Sequence, residues 1–112
     1  MTETEFDQLV EARISQVREL LLVKGKEYRR DGNVFHNFEA AGKMSGQTPQ
    51  RALHGFLLKH LVSYNDMLND IDTGKSLSLA KVDEKLGDII VYFFIQEALL
   101  KEHIYNEVKS DD

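Results

Sequence analysis

The stretch Asp83-Glu84-Lys85-Leu86-Gly87-Asp88-Ile89-Ile90-Val91-Tyr92-Phe93-Phe94-Ile95 decides the fold. Its second half is apolar on nearly every side of a helical wheel, whereas a helix lying on a domain surface has one apolar stripe. A helix without a polar face has to be covered on several sides. Three helices of one chain do not easily supply that cover. The pattern therefore predicts an all-α fold, a helical bundle of three long helices and one short helix, completed by dimerisation. A central helix in a compact monomer is the competing expectation. The first half of the stretch puts acidic groups at the mouth of the most apolar segment. A carboxylate costs several kcal/mol to bury unless it is paired, hydrogen-bonded or bound to metal. That placement makes Glu84 and Asp88 candidates for contact with a ligand.

Outward from this segment, helix signals punctuate the chain. Thr2 with Glu5 forms a capping box, and Phe6, Leu9, Val10, Ile14, Val17, Leu20 and Leu21 recur at helical spacing. This first helix is expected to reach about Arg30 and stop at Asp31-Gly32-Asn33, a turn signal. A short helix over Val34 to Lys43 carries Phe35 and Phe38 as core anchors, and Ser45-Gly46-Gln47 breaks it. Thr48 and Pro49 suit the N-cap and first position of the second long helix. That helix runs to about Ile71 on a stripe of Leu53, Phe56, Leu57, Leu61, Tyr64, Met67, Leu68 and Ile71. Asp72-Thr73-Gly74-Lys75 ends it. Ser76 or Ser78 caps the third long helix, which extends to about Val108. Residues 1–112 read as one helical domain.

Composition narrows the classes of function. The chain has 112 residues, 42% hydrophobic and 29% charged, enough for one modest core. A net charge of −5 argues against a nucleic-acid partner, which needs a basic face. It leaves room for a small anion held by local cations. Cysteine is absent, so disulfides and thiolate metal sites are excluded. The longest apolar run falls far short of the roughly 20 residues of a membrane span, so no membrane partner is expected. The polar start shows no secretory signal, and a cytoplasmic location follows, in a cell or an infected host.

The residues able to carry chemistry fall in four groups. Glu84 and Asp88 are four apart, on one face of a helix that Tyr92 continues. Two such carboxylates can share a divalent cation, or receive hydroxyls and amines from a ligand. A solvated helix start would also favour acids there. Lys59 and His60, with Ser63 one turn on, combine cations suited to phosphate, and His60 falls inside the apolar stripe between Phe56, Tyr64 and Met67. A histidine there is equally a satisfied core residue. Lys24, Glu27 and Tyr28 make the stripe of the first helix polar at its end. If that end approaches the start of the third long helix, Lys24, Lys26, Glu27, Tyr28, Glu84 and Asp88 line one pocket. Asn33 and Asn37 supply amides for turn chemistry or for contact with a base. His54 and His103 read as surface residues. There is no glycine-rich phosphate loop, nucleophile elbow or histidine pair at metal-ligand spacing.

The run Glu84-Lys85-Leu86-Gly87-Asp88-Ile89-Ile90 resembles the third-helix motif of the MazG-like all-α nucleotide pyrophosphohydrolases, which is typically Glu-Glu-Leu-Gly-Asp followed by apolar residues. Lys-Glu-Tyr at 26–28, Asn-x-x-x-Asn-Phe at 33–38, Lys-His at 59–60 and Glu-x-x-x-Asp then Tyr at 84–92 also resemble small phage proteins related to that superfamily, some of them associated with nucleotide modification. The resemblance spans roughly residues 20 to 100. It implies a dimeric or tetrameric bundle that holds magnesium against a nucleoside triphosphate through two acidic pairs. Asp88 corresponds to the family's final aspartate and Glu84 to the glutamate before it. Lys85 stands where the family carries a metal-binding glutamate, and Lys59, His60, Ser63 and Asp66 stand where it carries a Glu-x-x-Glu pair. Cations in place of acids lower metal affinity and add direct attraction for phosphate. The resemblance with these departures implies a protein that binds a nucleotide-like small molecule and needs no cofactor. In that reading Lys24, Lys59, His60 and Lys85 meet phosphates, Glu84 and Asp88 meet hydroxyls or amines, and Tyr28 or Tyr92 stacks. One alternative is a magnesium-dependent pyrophosphohydrolase with Glu27, Glu84 and Asp88 as ligands. Another is a structural or protein-interaction module.

Overall fold

A computed structural model describes the backbone of residues 1–24 and 29–110 and the side chains of residues 1–23 and 29–109. It is all-α, with three long helical segments and one short helix. The chain falls into two units, Met1–Val34 and Phe35–Asp112.

The first unit opens with helix α1, Glu3–Arg18. Its capping box is complete: the Thr2 amide donates to Glu5 Oε2 at 3.0 Å, and the Glu5 amide donates to Thr2 Oγ1 at 3.1 Å. From Glu19 to Lys24 the chain winds as a π-helix instead of continuing the α-helix that the apolar spacing predicts. The Arg29 guanidinium donates to the Leu21 carbonyl at 2.8 Å, tying this segment to the residues beyond it. The expected stop at Asp31-Gly32-Asn33 is a tight turn. Asp31 and Gly32 both have positive φ, 54° and 75°, and the Asn33 amide donates to the Arg30 carbonyl at 2.9 Å. Aspartate and glycine tolerate this left-handed geometry better than most residues.

The second unit holds helices α2, His36–Ser45, α3, Pro49–Asp72, and α4, Leu79–Ser110. Gly46 caps α2 at φ 69°, its amide reaching the Gly42 and Lys43 carbonyls. The chain then doubles back so closely that a Cβ on Gly42 would lie 2.6 Å from the Gln47 carbonyl oxygen. Only a hydrogen fits there. Thr48 Oγ1 accepts from the Arg51 amide at 3.2 Å, and Pro49 takes the first turn of α3, as its sequence signals. Gly74, at φ 77°, follows the end of α3, and Ser78 Oγ accepts from the Lys81 amide at 3.3 Å as the cap of α4.

Helices α3 and α4 pack antiparallel. Leu53, Leu57 and Leu99 meet Phe38 of α2 in the core, and Ile89, Tyr92 and Ile95 pack around them. Each fully buried side chain of this kind contributes roughly 1.5–3 kcal/mol relative to exposure. Two amide ties lock the register: Gln50 Nε2 donates to the Leu99 carbonyl at 3.3 Å, and Gln96 Nε2 donates to the Gln50 carbonyl at 3.1 Å. Within the second unit, the 89–95 segment packs on α3 through Ile89, Tyr92 and Ile95. Phe93 and Phe94 remain more than half exposed.

Candidate functional site

The α3–α4 register that places Leu53 beside Leu99 also sets His60 opposite Asp88 and Tyr92. His60 lies two turns after Leu53 on the same face of α3, so its ring enters the seam. On α4, Asp88 and Tyr92 are one turn apart and face the same way. The His60 and Tyr92 rings lie with centroids 5.2 Å apart at 37°. Phe38 meets the Tyr92 ring edge-on at 6.3 Å and 76°, and Phe56 meets Phe38 at 6.0 Å and 71°. Aromatic contacts at these separations contribute about 0.5–1.5 kcal/mol each beyond area burial. Tyr92 is therefore held in place by its ring.

The polar edge of this cluster is less satisfied. His60 Nδ1 stands 3.6 Å from Asp88 Oδ2, too far for a hydrogen bond. Among the described residues, this buried nitrogen has no hydrogen-bond partner. The Asp88 side chain is 40% exposed and that of His60 20%, so the pair sits where the seam opens to solvent. Burial raises the Tyr92 hydroxyl above its ordinary pKa, and the negative charge of Asp88 raises it further. A neutral phenol, an imidazole and a half-exposed carboxylate thus share one opening. Together they offer donors, acceptors and a ring face to a small polar ligand.

The other candidate residues distribute around this centre unevenly. Lys59 is exposed on the flank of α3, and Ser63 Oγ donates back to the Lys59 carbonyl at 3.2 Å. Asn37 is exposed in the first turn of α2. Glu84 is largely exposed and meets the Lys85 ammonium at 3.9 Å. Lysine at 85 thus supplies a cation next to the carboxylate that the hydrolase alternative needs for metal. Among the described residues no group of three or more acids and histidines is placed to hold a metal ion. Asn33 belongs to the tight turn of the first unit. The Lys24 side chain, Lys26, Glu27 and Tyr28, and with them the pocket predicted between the first and third long helices, lie outside the described residues. His54 and His103 are on the surface, as their positions predict. No helix among the described residues is long and apolar enough to cross a membrane.

A cleft of about 380 Å³ lies at the opposite end of the seam. Lys43, Thr48, Gln50, Leu99, Glu102 and His103 contribute to its walls. It joins the end of α2, the start of α3 and the last turns of α4. Such a grouping has no local signature, because each wall comes from a different stretch of chain. Its mixed charges select no single class of ligand. This chain matches no family model, no curated protein and no solved structure.

Proposed function

We propose that this chain is a nucleotide-binding protein of phage type, built on a MazG-like scaffold, that sequesters a nucleotide-derived signal. The observation that supports the reading is the buried, unpartnered Nδ1 of His60 beside a half-exposed Asp88 and the ring of Tyr92. A buried polar atom without a partner costs about 1–3 kcal/mol, a cost that a ligand hydrogen bond removes. In this reading the Tyr92–His60 edge receives a base or sugar, and Asp88 accepts from hydroxyls or amines. Lys59 and Lys85 are, in the same reading, the cations for phosphate.

Calorimetric titration of the protein with mono-, di- and cyclic nucleotides tests it. Binding without added magnesium is expected for at least one of them, with His60→Ala and Asp88→Asn each weakening it about tenfold or more. Absence of heat across the panel defeats the proposal. Release of pyrophosphate that stops with a chelator and with Asp88→Asn would favour the hydrolase instead. Loss of thermal stability in both variants, with ligand response unchanged, would reduce His60 and Asp88 to a structural pair.

A further inference from the structure

The outer side of α4 carries a second pattern, independent of the His60 cluster. Ile90, Phe94, Glu97, Lys101, Ile104 and Val108 alternate at spacings of four and three residues, the spacing of a coiled-coil seam. This line runs along the side of α4 opposite Tyr92 and Leu99, which face α3. Phe94, Ile104 and Val108 on the line, and Phe93 and Tyr105 flanking it, are each more than half exposed. At its middle Lys101 Nζ meets Glu97 Oε2 at 3.1 Å.

The line has the same character in both directions about the level of residue 99. Ile90 mirrors Val108, Phe93 mirrors Tyr105, Phe94 mirrors Ile104 and Glu97 mirrors Lys101. Apolar side chains mirror apolar ones, and the acid mirrors the base. A two-fold interface requires this self-complementarity, because residue i meets j and j meets i. We propose that a second copy of this chain docks on this face, with the two α4 helices antiparallel across a two-fold axis at the level of Leu99. Each Glu97 then faces the Lys101 of the other copy, between layers of Phe94 with Ile104 and Ile90 with Val108. A parallel pairing would set Glu97 against Glu97 and Lys101 against Lys101, so the central charges also exclude the wrong orientation.

The dimensions suit such a partner. Ile90 to Val108 spans roughly 27 Å of helix. The five well-exposed apolar side chains present on the order of 500 Å² per copy, taking about 150–250 Å² for a whole aromatic side chain. Two copies together reach the roughly 1,000 Å² that a specific interface has to clear, before the stems of Glu97 and Lys101 are counted.

Sedimentation velocity of the full chain across a concentration series, at low salt, tests the proposal. The expected mass is twice the 12.9 kDa of one chain. Glu97→Lys and Lys101→Glu should each weaken association about tenfold, and the double variant carrying both should restore it. All three variants alter only surface residues, and far-UV circular dichroism checks that each is helical. Phe94→Glu should give a monomer. A wild-type monomer at high concentration overturns the proposal, as when residues 3–18 of the same chain cover the face. So does a dimer indifferent to the single charge reversals, or a double variant that fails to recover.

Discussion

The two ends of the α3–α4 seam are built by the same antiparallel pair and differ in what fills them. Around Leu53, inward of the cleft, packing is apolar: the side chain is fully buried, Leu57 and Leu99 fill the space around it, and Gln50 and Gln96 tie the two helices through their backbones, with Gln96 Oε1 left buried and unpartnered. Near His60 the same register delivers an imidazole, a carboxylate and a phenol with one buried nitrogen unpartnered. Apolar packing is concentrated at the first end and, under the proposed function, ligand chemistry at the second. Such a division is expected where a rigid element has to hold groups ready for an incoming molecule.

Breaking the apolar end has the largest effect. Leu53→Ala should cost about 2–5 kcal/mol, because the surrounding helices can collapse only partly into the cavity. Thermal unfolding should show a drop on the order of 10 °C. Gly42→Ala comes next, at about 1–3 kcal/mol. Its new methyl group meets the Gln47 carbonyl oxygen, a backbone atom that cannot rotate away as a side chain could. Urea midpoints for the two variants measure both effects. If Gly42→Ala is neutral, the chain between α2 and α3 has room that its geometry denies.

These positions also mark how much of the molecule the residues themselves disclose. The capping box of Thr2 and Glu5, the Thr48-Pro49 start and the Gly46 stop are local chemistry, so helix boundaries are legible one turn at a time. The stripe of α3 identifies Leu53, Leu57 and Met67 as buried, though Phe56, Tyr64, Leu68 and Ile71 on the same stripe are exposed. His60, Asp88 and Tyr92 each lie on a readable helix face. Their meeting depends on the register between two helices, which no spacing within either helix encodes. The π-helical turn from Glu19 also lacks a local signal, since neither proline nor glycine stands in Glu19–Lys24. The cleft beside Thr48 and Glu102 is a purely tertiary product. Gly42 is legible only once the return of the chain at Gln47 is known.

The open end should respond differently. His60→Leu replaces a ring whose Nδ1 lacks a partner with an apolar side chain, and Asp88 can take up water at the seam edge. The expected change in stability is within about 1.5 kcal/mol of zero, well below that of Leu53→Ala. Nucleotide binding, by the proposed function, is lost in the same variant. Equal destabilisation by His60→Leu and Leu53→Ala would erase the contrast and make His60 as much a core residue as Leu53.

The smallest effect isolates the electrostatics of the open end. Burial and the Asp88 charge both favour the neutral phenol of Tyr92 in the folded protein, so its folded pKa stands above the unfolded value of 10.0. The unfolded chain therefore releases this proton first as pH rises. The contribution of Tyr92 is fully present below pH 10 and is lost as pH climbs through the raised folded value. Tyr92→Phe cannot ionise and should lose less stability than wild type between about pH 9 and 11. Taking the difference between the two proteins cancels the lysines and other tyrosines that titrate in the same range. Asp88→Asn removes only the charge and leaves the burial, so its curve should fall between the two. If Asp88→Asn overlays wild type, the carboxylate does not act on the Tyr92 hydroxyl, and the open end is two neighbours and not one cluster.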